Sequence, residues 1–129
     1  MDLQHGTWGE RYRLWQTPTM LLTFLKLNPH KRCSWHKHEH AYNLFFVTDG
    51  SITIKTDIGP DRQRNLTTIR AGGIPFEVKP GVMHEFRTGA EPARVIEIAY
   101  VKYDISDIHR RLLGGDMELT GEKNRVGGV

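Results

Sequence analysis

Turn signals recur about every ten residues through most of this chain, and that spacing limits what it can fold into. Pro18, Asn28-Pro29, Asp49-Gly50, Gly59-Pro60, Gly72-Gly73, Pro80-Gly81 and Gly89 to Pro92 each interrupt the backbone. Between them lie segments long enough for a strand and too short for a typical helix. The segments are Arg11 to Gln16, Met20 to Leu27, Lys31 to His38, Asn43 to Thr48, Ser51 to Asp57, Asn65 to Arg70, Phe76 to Val78, Met83 to Thr88 and Ala93 to Lys102. Ile52 and Ile54 alternate with Thr53 and Lys55, the period of a half-buried strand. Asp49-Gly50 is a favoured two-residue hairpin turn. Pro75 points to an edge or bulged position. Asp104 to Leu113 is the one helical candidate, capped by Asp104 and stopped by Gly114-Gly115. The expected fold is all-β, a single-domain barrel or sandwich with a short C-terminal helix. Residues 1–9 are expected to be irregular, 10–113 to form the domain and 114–129 to form a flexible tail.

The 129 residues suit one domain, and 38% hydrophobic with 26% charged content is ordinary for a globular protein. No apolar run approaches a membrane span, and the Met1–Gly6 opening lacks a signal-peptide pattern, so a cytoplasmic location is expected. The single Cys33 excludes an internal disulfide and a multi-cysteine zinc site. Net charge is +3, with Arg62-Gln63-Arg64 and Arg110-Arg111 as the basic clusters and no interleaved aromatics, so a nucleic-acid partner is not expected.

The chemistry concentrates in Trp35 to Gly50. His36, His38 and His40 stand at alternate positions and would share one face of an extended strand. Two imidazoles at that spacing reach one metal ion; three in sequence need a bend, which leaves one spare. His84, just after the Pro80-Gly81 turn, is the other informative histidine. Glu97 lies on the last long strand, where Val95, Glu97, Ala99 and Val101 share one face and Arg94, Ile96, Ile98 and Tyr100 the other. Either set can face inward. If the first does, Glu97 is a carboxylate inside the fold, available as an acid/base or a replacement ligand. Phe45 and Val47 share the parity of Asn43 and are expected to line the pocket or core, and Phe86 that of His84. Trp8, Trp15 and Trp35 read as core or interface.

At these residues the chain resembles the cupin superfamily. His36-Lys37-His38, four residues, Asn43, six residues, Gly50 matches the second half of the first cupin motif, without its leading glycine. Gly73, five residues, Lys79-Pro80-Gly81, two residues, His84 matches the second motif, with Lys79 in place of a proline. The resemblance implies a jelly-roll-like barrel holding one divalent transition metal (Fe, Mn, Ni, Cu or Zn). The ligands it implies are His36, His38 and His84, with Asn43 at the position of the motif glutamate. His40 is a candidate extra ligand, and Glu39 a weaker one. Trp8 to Tyr12, Lys31 to Ser34 and Tyr103 to Arg110 are similar to small mannose-6-phosphate isomerase-like cupins. That likeness implies an isomerase or epimerase acting on a sugar or sugar phosphate, with Glu97 as catalytic base. The neutral Asn43 instead suits a three-histidine iron dioxygenase. A non-enzymatic ligand-binding or sensory cupin is the third alternative. A small-molecule ligand and a homodimer are the expected partners.

Overall fold

In a computed structural model, residues 2–58, 64–102 and 114–117 are described. Nine strands run β1 (Asp2–Gly6), β2 (Gly9–Thr17), β3 (Met20–Leu27), β4 (Tyr42–Asp49), β5 (Ser51–Thr56), β6 (Asn65–Arg70), β7 (Phe76–Val78), β8 (His84–Arg87) and β9 (Ala93–Tyr100). They form a six-stranded sheet, β1-β2-β3-β9-β4-β7, and a three-stranded sheet, β6-β5-β8, with every pairing antiparallel. There is no helix among the described residues, so the all-β expectation holds. The helical candidate at 104–113 lies outside the described residues, as does the tail beyond 117; residues 114–117 are irregular and exposed.

The two sheets enclose one apolar core. Phe45, Ile52, Ile54 and Val95 are at most 2% exposed, and Leu25, Leu27, Val78 and Ala93 lie beside them. Cross-strand partners project to the same face of a sheet, so the register states what shares the interior. Leu25, Val95 and Val47 form one inward row across β3, β9 and β4. The next row is Thr23, Glu97 and Phe45, and the one after it Leu21, Ala99, Asn43 and Val78. The interior thus carries Thr23 and Glu97 as a polar row between more apolar ones, with Asn43 in the row beyond.

Three expectations are corrected. Residues 1–9 are not irregular throughout, because Asp2–Gly6 pairs with β2, from Asp2 opposite Arg13 to Gly6 opposite Gly9. Residues 3–7 are exposed, so this edge strand carries no apolar alternation to announce it. Lys31 to His38 is not a continuous strand; it touches β8 only at the isolated bridges Arg32–Arg87 and His36–His84. Asp49-Gly50 is not a hairpin turn, since β4 and β5 belong to different sheets. The chain changes sheet at Gly50, whose φ of 73° and close approach to Pro92 exclude a side chain; an added Cβ would lie 2.4 Å from the Pro92 carbonyl oxygen.

Candidate metal centre

The two histidine-bearing segments meet through their backbones. The His84 amide donates to the His36 carbonyl at 2.7 Å, and the His36 amide donates back to His84 at 3.1 Å. The Gly81 amide donates to the His38 carbonyl at 2.8 Å. These bonds bring residues more than forty positions apart into one cluster. The ring centroids lie 4.5 Å apart for His36 and His84, 5.1 Å for His36 and His38, and 5.5 Å for His38 and His84. One nitrogen from each ring lies within 4.8 Å of the others, close enough for all three to bind one ion.

Neighbouring carbonyls orient two of the rings. Nδ1 of His84 donates to the Val82 carbonyl at 2.9 Å, and Nδ1 of His36 to the Ser34 carbonyl at 2.8 Å. With the proton on Nδ1, each Nε2 keeps its lone pair. His84 Nε2 is buried and has no partner among the described residues, and the same is true of Asn43 Oδ1 and Thr23 Oγ1. A buried acceptor left unsatisfied costs about 1–3 kcal/mol. A cation at the convergence of the imidazoles would satisfy His84 Nε2, so the donor set fits a divalent transition metal. Burial pushes His84 down to about 4, opposed by the Val82 hydrogen bond and reinforced by the two neighbouring imidazoles. Burial also lowers His38, with His36 and Arg11 adding to the effect. Both rings are therefore neutral at pH 7, the form that ligates.

Glu97 points inward. Its carboxylate, with the side chain 13% exposed, lines a cavity of about 160 Å³ together with His36, His38, Arg11, Trp8 and Phe86. Its pKa is raised by burial, against the lowering influence of Arg11 and His36. Arg11 Nη2 stands 3.9 Å from Glu97 Oε1, a loose pair that leaves the carboxylate available. The sequence left two facings open for β9, and the register settles them. Glu97 is nevertheless not one of the groups converging within 4.8 Å, so it shares the cavity without joining the histidine cluster.

The other candidates separate. His40 and Glu39 are exposed in the loop before β4 and join no ligand cluster among the described residues. Asn43 is 2% exposed on the inner face, one row from Glu97. Phe86 lines the cavity, whereas Phe45 packs behind it, with its ring 6.5 Å from His84 and 6.4 Å from Phe86. Val47 belongs to the core rather than the cavity lining. Cys33 borders the cavity, but burial pushes its thiol up to about 11, so it is no thiolate nucleophile. Arg11 was not anticipated. On β2 the apolar Tyr12 and Leu14 mark the outer face and the charged Arg11 the inner one, which inverts the usual pattern.

No family model matches the sequence, and no curated protein matches it. Solved structures do. KdgF from Halomonas sp. superposes with a TM-score of 0.66 at 16% identity, over 80% of this chain and 90% of that one. The cupin domain of Cnp3 from Schizosaccharomyces pombe gives 0.66 at 13% identity, over 79% and 69%. An RmlC-like cupin from Shewanella frigidimarina gives 0.65 at 17% identity, over 78% and 84%. Identities this low establish the shared fold.

Proposed function

With a cupin fold as its scaffold, we propose that this protein is a metal-dependent enzyme of small-molecule metabolism, an isomerase or epimerase of a polar substrate such as a sugar or sugar phosphate. The observation that carries the reading is the position of Glu97, an inward carboxylate in the same small cavity as His36 and His38. His36, His38 and His84 would hold the divalent metal, which when bound polarises adjacent carbonyl and hydroxyl oxygens. The Glu97 carboxylate removes a proton from the hydroxyl-bearing carbon next to the carbonyl and returns it to the former carbonyl carbon, while the hydroxyl proton passes to the former carbonyl oxygen. A raised pKa makes it a stronger base than an exposed glutamate. The nearby Arg11 guanidinium limits that rise. Trp8, Phe86 and Leu25 wall the cavity.

The test is isotope exchange. Incubation of the metal-reconstituted protein with aldose and ketose phosphates in deuterated water should place deuterium at C1 or C2. Glu97→Gln should slow that exchange by about 10²-fold or more. Absence of exchange with every reconstituted metal would contradict the reading.

Asn43 favours a second reading, a three-histidine iron dioxygenase, because the buried amide adds no negative charge to the ligand set. It predicts iron in the purified protein and oxygen uptake with thiols, diketones or catechol-like acids. Tightly held zinc with no activity on iron loading contradicts it.

A further inference from the structure

A larger basin adjoins the histidine cavity. An outer basin of about 540 Å³ is lined by Thr7, Trp8 and the segment from His30 to Ser34. Trp8, Cys33 and Ser34 also line the inner cavity, so the two compartments share a wall. Among the described residues, no carboxylate borders the outer basin. Glu97 remains in the inner one.

The basin is built rather than incidental. The Lys31 amide donates to Thr88 Oγ1 at 2.9 Å, and the Thr88 amide donates to the Lys31 carbonyl at 2.9 Å. The His30 amide is held by the Gly89 carbonyl at 2.9 Å. The segment carrying the three basic side chains is thus fastened to the residues following β8. Arg32 stands 4.0 Å from Glu85, and Glu85 already accepts from Arg87 Nε at 2.7 Å. The Arg32 side chain, 70% exposed, keeps donors free. Trp8 is fixed from both sides, edge-on to Phe86 with centroids 6.2 Å apart and against Gly6, where an added Cβ would meet the indole at 2.7 Å.

We infer that the ligand of this site has two parts, a chelating head that enters the inner cavity and a dianionic oxyanion arm, of the phosphate-monoester type, seated in the outer basin on Lys31 and Arg32. The head rests on the metal-dependent reading above; the arm rests on the basin alone. A cavity of about 160 Å³ takes only a few heavy atoms beside the histidines, so most of a phosphorylated sugar must lie beyond Trp8. Two cations with no carboxylate among the described lining residues match a dianion better than a neutral sugar or a single carboxylate, and the planar guanidinium of Arg32 suits bidentate contact with phosphate oxygens.

The test is a titration of inorganic phosphate into zinc-loaded, ¹⁵N-labelled protein followed by NMR. Saturable shifts are expected at the amides of Lys31 to Ser34 and at the Trp8 indole N–H. The double variant Lys31→Ala/Arg32→Ala should weaken binding about tenfold or more, while retaining zinc and the dispersed spectrum of a folded chain. His84→Ala should leave phosphate binding unchanged. Acetate should bind far more weakly than phosphate. The inference is overturned if no saturable shift occurs, if binding survives in the double variant, if His84→Ala abolishes it, which would place phosphate on the histidines, or if acetate binds as well. Zinc content, measured separately, distinguishes failure of the arm from failure of the metal reading.

Discussion

His84 is the residue on which the site turns. It is 2% exposed, its Nδ1 is committed to Val82, and its Nε2 has no partner among the described residues. Its pKa falls from 6.5 to about 4 on folding, so the unfolded chain takes up a proton in this window that the fold refuses. Metal-free protein should therefore hold this contribution fully above pH 6.5 and lose up to about 3 kcal/mol of it as pH falls to about 4. Glu97 acts in the opposite sense, since its raised pKa favours the fold at low pH. Denaturant unfolding of metal-free wild type and His84→Ala across this range checks the sign; the variant should show the shallower acid loss. Asn43 supplies a second prediction. Asn43→Glu should destabilise the metal-free protein by at least about 2 kcal/mol, because a carboxylate replaces a buried neutral amide, and added metal should restore more stability than it gives the wild type. Thermal melts with and without zinc measure both. Of these residues, His36, His38 and His84 were legible from motif spacing. Arg11 was not, because nothing local distinguishes an inward arginine from a solvated one when the apolar residues of β2 mark its outer face.

At the scale of elements, most strands were legible because turns bound them and alternation fills them. β3 and β6 lie where the sequence places them, from Met20 to Leu27 and from Asn65 to Arg70. What sequence could not supply was pairing. Asp49-Gly50 has the composition of a hairpin, yet it sends the chain from one sheet to the other. The deciding contact is with Pro92, more than forty residues away and invisible locally. Gly50→Ala should cost about 2–3 kcal/mol, combining the positive φ with the carbonyl clash, and a fall in the denaturant midpoint measures it. A change below about 0.5 kcal/mol, the range of ordinary surface substitutions, would show that the corner tolerates a side chain. The segment from Lys31 to His38 misled for a related reason. Its alternating histidines imitate a strand, but main-chain bonding is confined to scattered points along it. That irregularity lets His36 and His38 turn to the cluster while His40 stays exposed.

For the whole molecule, the two faces of the larger sheet differ in kind. The inner face carries the core and the site. The outer face is apolar, with Tyr12, Phe24, Ile96 and Phe46 in one row and Leu22, Ile98 and Leu44 in the next. Trp15 is 60% exposed and Phe46 38%. A contiguous apolar surface of this kind marks an interaction site. We propose that a second copy covers it, in keeping with the homodimer implied by the family resemblance. Light scattering should give twice the chain mass, and Trp15→Glu with Phe46→Glu should give the monomer; a monomeric wild type at micromolar concentration contradicts this. Fold class was legible from the turn spacing, and the place of the site from the two histidine segments. The facing of Glu97 was not, because both parities of β9 are plausible strands until β3 and β4 fix its register. The central claim is that three imidazoles on these two segments hold one metal ion. Elemental analysis of purified wild type beside His84→Ala, each after dialysis against zinc, tests it most directly. The account predicts about one metal ion per chain in the wild type and its near-complete loss in the variant, since three ligands define the set. Equal metal in both proteins, or none in either, contradicts it.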